Sequence, residues 1–115
     1  MDIRLKTEAF EFDGRTFQLC CNMNVLAEVQ EAFGGNFYAA LRSNYSIRGL
    51  MTFLTAMLND YADRQDWDLH YEVAQVGRLL DPSAAAISKR NTMIMGLVTS
   101  ALTPATPAEE DTPKN

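Results

Sequence analysis

The sequence predicts a mainly α fold of the α+β kind. It comprises an N-terminal β-hairpin packed on a bundle of four to five helices, followed by a disordered acidic C-terminal tail. Three observations predict it. Asp13-Gly14 stands between two short runs of alternating apolar residues, a strong hairpin signal. From Val25 onward apolar residues recur at intervals of three and four, the period of amphipathic helices. Residues 104–115 hold three of the four prolines and no large apolar side chain, too little apolar surface to fold. The expected division is one globular domain over 1–103 and a tail over 104–115.

The hairpin is expected over 3–21. In its first arm Ile3 and Leu5 alternate with Arg4 and Lys6, and Phe10 and Phe12 flank Glu11. The second arm, Thr16 to Cys21, places Phe17, Leu19 and Cys21 on one face. A lone hairpin is marginal in water, so its apolar face must lie on helices.

The helices are expected at about 24–34, 36–43, 47–63, 69–80 and 82–102. Asn22 or Asn24 caps the first, which carries Val25, Leu26, Val29 and Phe33 inward and stops at Gly34-Gly35. Asn36 caps a short second helix bearing Phe37, Tyr38 and Leu41. Ser46 caps the third, where Ile47, Leu50, Met51, Leu54, Met57, Leu58 and Tyr61 form a stripe that Phe53 widens. This is the expected central helix, covered on more than one side. Asp66 or Asp68 is the expected cap of the fourth helix, and Trp67 is expected to pack on Tyr71. Asp81-Pro82 should start the fifth, with an acceptor at the N-cap and Pro at the first helical position. Its stripe reads Ala84, Ile87, Asn91, Ile94, Val98 and Ala101, leaving Met93, Met95 and Leu97 off the stripe.

Bulk properties exclude several functions. Of the 115 residues, 47% are hydrophobic and 22% charged, which suits a globular domain, and the formal net charge is −5. That balance argues against nucleic-acid binding, which needs basic patches against phosphate, and against anionic membranes. No apolar run approaches the ~20 residues of a membrane span, and the first residues carry no signal-peptide core. A cytoplasmic protein is expected.

Candidate chemistry is sparse, and no enzyme, cofactor or metal is expected. Cys20 and Cys21 are adjacent, too strained to bridge each other, and read as free thiols, one buried and one half-exposed. A nucleophilic pairing with His70, the only histidine, lacks an electropositive neighbour in sequence. The aspartates between 60 and 68 lack the order and the glycine of a calcium loop. From Asn91 to Ala108 there is no charge. A helix apolar nearly all round is either buried or kept for a partner. Met93, Met95 and Leu97 are the candidate partner anchors, with Glu109, Glu110 and Asp111 as an acidic recognition or solubilising patch. On that reading a charge at Leu97 would abolish partner binding without unfolding the chain.

Several stretches together resemble a family. They are the hairpin closing on Phe12-Asp-Gly-Arg-Thr-Phe-Gln-Leu19, the helix Asn24-Val-Leu-Ala-Glu-Val-Gln-Glu-Ala-Phe-Gly34, a long apolar helix, Tyr71-Glu-Val-Ala-Gln-Val-Gly-Arg-Leu-Leu80, a last helix and an acidic Pro-containing tail. Over nearly the whole chain this is similar to the tail assembly chaperones of long-tailed bacteriophages (siphoviruses) and prophages, the gene-transfer-agent and Gram-positive prophage type in particular. The resemblance implies a non-catalytic protein of the host cytoplasm. It would bind the tape measure protein and recruit tail tube subunits, then leave the finished tail. It also implies a frameshifted longer form, for which codons at Pro113-Lys114-Asn115 rich in A would be suited. The competing expectations are a minor structural or connector protein of the tail, and a helical regulatory adaptor unrelated to phage.

Overall fold

A computed structural model describes residues 5–43 and 46–103. The hairpin consists of β1 (Glu8–Phe12) and β2 (Arg15–Leu19), paired antiparallel with Phe10 opposite Phe17 and Phe12 opposite Arg15. Asp13 and Gly14 both take positive φ, 52° and 74°, the backbone that a two-residue hairpin turn requires. Phe12, Phe17 and Leu19 are buried, while Ala9, Glu11, Thr16 and Gln18 face water. The strands are shorter than expected. Glu8 pairs with Leu19, and beyond Leu19 the chain leaves the sheet for the cap of α1, so Leu5 to Thr7 have no strand to pair with. Ile3 and Arg4 lie outside the described residues.

Helix α1 (Met23–Ala32) begins at Asn22, whose side-chain oxygen accepts from the Val25 N–H at 3.0 Å. It ends in a paired C-terminal motif: Gly35 N–H donates to Gln30 C=O at 2.8 Å and Gly34 N–H to Glu31 C=O at 3.2 Å. Helix α2 (Phe37–Arg42) is capped by Asn36 and helix α3 (Ile47–Arg64) by Ser46, both as expected.

The end of α3 corrects the expectation for Asp66 and Trp67. Asp66 takes φ 57°, where glycine is usual, and closes α3 rather than opening α4. Trp67 N–H donates to Ala62 C=O at 2.9 Å, and the indole packs edge-on against Tyr61 (5.5 Å between centroids) and Phe17 (5.5 Å), not as a staple on Tyr71. An apolar contact of this kind commonly accompanies such a helix stop. The following segment stays extended because Asn59 clamps it: its amide donates to Tyr71 C=O at 2.9 Å and accepts from Tyr71 N–H at 2.7 Å. Helix α4 therefore spans only Val73–Leu79, opened by a reciprocal capping pair of Glu72 and Gln75. Helix α5 (Ala84–Leu102) starts at Ser83 rather than Asp81. The Asp81 carboxylate instead accepts from Ser83 N–H at 2.9 Å, forming a tight turn that delays the helix. That bond holds the Asp81 pKa below the usual carboxylate range.

The core lies on α3. Phe53, Met57, Leu58 and Ala62 are fully buried, and β2, α1, α4 and α5 all pack against this helix. Thr52 and Thr55 are buried there without loss, since their hydroxyls donate to the carbonyls of Arg48 and Met51, both at 2.7 Å. Gly49 is where α3 meets the end of α2. A Cβ there would collide with the Ser43 backbone, so the helix tolerates glycine for the sake of close approach.

Candidate functional site

The environment of the fifth helix decides what the chain can offer a partner. Leu97 is 1% exposed and sits in the core with Ile94 and Val98. The reading of Leu97 as a surface anchor is therefore corrected. The buried face of α5 is rotated toward Leu97 because the helix meets α3 on one side and the N-terminal segment on another. A Cβ on Gly96 would stand 3.3 Å from the Lys6 ammonium. Met93 is half-buried against the core and Met95 is half-buried. Glu109, Glu110 and Asp111 lie outside the described residues.

Two grooves flank the N-terminal half of α5. The first is apolar and open, with a volume of about 160 Å³. Leu50, Met51 and Leu54 of α3 form one wall and Ile87 and Ile94 of α5 the other, with Leu80 and Pro82 at the base. Among the described residues Arg90 is the only charged side chain lining it. Ile47, at its mouth, is 62% exposed even though the α3 stripe predicts it inward. Gly49, two residues on and therefore on the opposite side of the helix, is the one buried against Ser43, which turns Ile47 outward. Met51 lies beside Gly77, where a Cβ would come within 3.0 Å of its sulfur, so the small residue on α4 makes room for this wall. The second groove, about 560 Å³, lies between β1 and the other flank of α5. Leu80 and Arg90 line both grooves.

The cysteines form no reactive centre. Neither is on a strand, and both are buried, which corrects the expectation of one half-exposed thiol. The structure supplies the cation that sequence proximity did not: Arg64 Nη2 lies 3.8 Å from Cys20 Sγ. Burial outweighs it, and with Asp60 nearby the Cys20 pKa is raised. Burial, with Cys20 adjacent, pushes Cys21 up to about 12. Arg64 is also held by Asp60 at 3.0 Å, and Asp60 accepts from the Asn22 amide at 2.8 Å, so the group ties α1 to α3. His70 is exposed and lines a separate shallow cleft with Glu28, Asn59 and Glu72. Among the described residues no three His, Cys, Asp or Glu side chains gather to hold a metal ion, and no helix is long and apolar enough to cross a membrane.

Sequence periodicity missed both grooves. Their walls come from α3, α4, α5 and β1, and only the uncharged run along α5 pointed to that neighbourhood. Comparison with protein-family models, with curated proteins and with solved structures gives no match.

Proposed function

We propose that this protein is a non-catalytic tail assembly chaperone of a long-tailed phage or prophage. In this reading it acts in the host cytoplasm, binds the tape measure protein and recruits tail tube subunits. The resemblance stated above supplies the partner, and one structural observation supports the mode of binding. That observation is the open apolar groove between α3 and α5, whose lining among the described residues carries no carboxylate although the chain has a net charge of −5. Such a groove accepts the apolar face of a partner helix through anchors at helical spacing. The acidic remainder keeps a chaperone with an exposed apolar site soluble.

The test is co-expression with the tape measure protein and capture of the complex. Ile47→Glu alters a side chain already exposed at the groove mouth, so it should leave the fold intact and reduce capture at least tenfold. Capture unchanged by Ile47→Glu and by Ile87→Glu would remove the groove from the reading. The presence of the protein in finished particles would assign it instead as a tail component.

A further inference from the structure

The groove between α3 and α5 lies in a cationic part of an acidic chain. In the whole sequence 15 acidic residues stand against 10 Lys and Arg. Yet α3 as far as Asn59, α4 and α5 hold Arg48, Arg78, Lys89 and Arg90 and no carboxylate. The carboxylates of α3, Asp60 and Asp63, come well after Leu54, its last residue in the groove lining. Arg90 lines the groove on the α5 side. Arg48 and Arg78 directly follow the lining residues Ile47 and Gly77, and both are exposed. Met51 stands one helical turn after Arg48 and lies beside Gly77, so these two cations flank the wall made by α3 and α4.

Among the described residues the one carboxylate next in sequence to a lining residue is Asp81, between Leu80 and Pro82. It accepts from the Ser83 N–H at 2.9 Å, and the Arg90 guanidinium donates to the Asp81 carbonyl at 2.8 Å. Among the described residues no carboxylate forms an ion pair with Arg48, Arg78 or Arg90. Three cations therefore surround the groove against one carboxylate that is already engaged. The walls are helices, whose backbone groups bond along their own axes, so an extended chain finds no strand edge there. A helix satisfies its own backbone and needs only an apolar face. The lining from Ile47 to Leu54, and from Ile87 to Ile94, spans about 10 Å at ~1.5 Å per residue, two turns of a docked helix.

We propose that this groove selects an amphipathic partner helix that carries carboxylates along both borders of its apolar face. The apolar anchors rest on Leu50, Met51, Leu54, Ile87 and Ile94. The carboxylates meet Arg48 and Arg78 at one border and Arg90 at the other. The anchors hold the helix, and the rim cations choose which helix is held. The competing occupants are the acidic residues 104–115 of the chain itself and a second copy of it. This selectivity rests on the groove of the chaperone reading, and the two fail differently.

The test uses the full chain and a fluorescent peptide, acetyl-Leu-Ala-Glu-Leu-Leu-Ala-Glu-Leu-Ala-Glu-Leu-Leu-Ala-Glu-Leu-amide, read by anisotropy beside a twin with Lys in place of Glu. Net charge alone favours the Lys peptide on an acidic protein. The groove should instead bind the Glu peptide about tenfold more tightly. Arg48→Glu combined with Arg78→Glu alters two exposed side chains and should abolish that preference with the circular dichroism unchanged. Lys6→Glu combined with Arg15→Glu makes the same change in net charge away from the groove, and the preference should survive it. Equal or tighter binding of the Lys peptide overturns the proposal, as does a preference that persists in the first double variant or is lost in the second. Tighter binding of both peptides after removal of residues 104–115 would name that segment as the occupant, and a dimer dissociated by the first double variant would name a second copy; either overturns it. Capture of the tape measure protein that falls in Ile47→Glu but not in the first double variant keeps the chaperone reading and overturns this selectivity. Selectivity for the Glu peptide without such capture keeps the selectivity and overturns the chaperone reading.

Discussion

Helices α3 and α5 are of nearly equal length, 18 and 19 residues, yet nine residues of α3 are buried and only three of α5. Apolar content does not explain the difference, because α5 carries no charge after Arg90 whereas α3 carries charges at Arg48, Asp60, Asp63 and Arg64. Neighbours explain it. The hairpin, α1, α4 and α5 all pack on α3, whereas α5 rests on α3 and leaves grooves on both of its flanks. The helix with the longer uncharged run is therefore the one with unused apolar surface, which is the condition for a docking element.

Truncations should expose that contrast most strongly. Phe53→Ala, at a fully buried site on α3, should cost about 4 kcal/mol. Leu102→Ala, at a side chain 46% exposed on α5, should cost under about 1 kcal/mol. Chemical denaturation measures both, and equal losses would show that α5 is as integral as α3.

A smaller effect should appear in alkali, and it belongs to the side of the molecule around α3. Cys21 is pushed from 9.0 up to about 12 by burial and by Cys20. Tyr71 is pushed from 10.0 up to about 12 by burial and by its bond to Asp13. Both raised values mean that the folded state holds the neutral form. Their contribution is complete below pH 9 and is lost as pH rises toward 12. The urea midpoint should be flat from pH 7 to 9 and fall above it, less steeply in Tyr71→Phe. A midpoint that holds to pH 12 would contradict the burial of these groups. Cys21 should also resist thiol reagents at pH 8 until the chain unfolds.

The smallest change concerns α5 itself. The Asn91 side-chain oxygen is buried and has no hydrogen-bond partner among the described residues. Leaving a buried acceptor unpaired is unfavourable, so Asn91→Leu should stabilise the fold by about 1 kcal/mol. A lower denaturation midpoint in this variant would show that the carbonyl is engaged.

Much of the architecture was legible from local chemistry. Asp13-Gly14, Asn22, Asn36, Ser46 and Gly34-Gly35 each act within four or five residues, through positive φ or a cap bond, so their effect is written in neighbouring positions. The misreadings concern helix starts and the buried face of α5. Asp66 and Asp81 are good N-cap residues, and by local rules either can open a helix. Neither does: Asn59 holds Tyr71 extended from twelve residues away and moves the start of α4 to Glu72, and Asp81 is engaged by the Ser83 N–H, so α5 starts at Ser83. Leu97 was misplaced because the buried face of α5 is chosen by its two neighbours and not by its own period.

The amino-acid order was sufficient for the hairpin, the five helices and the absence of charge along the second half of α5, because turns, caps and periodicity are short-range effects. Tertiary packing alone decided that both cysteines are buried, Cys20 beside Arg64, that Leu97 is core and that α5 stands between two grooves. Burial and open surface are properties of which elements meet, and those contacts join residues far apart in the chain.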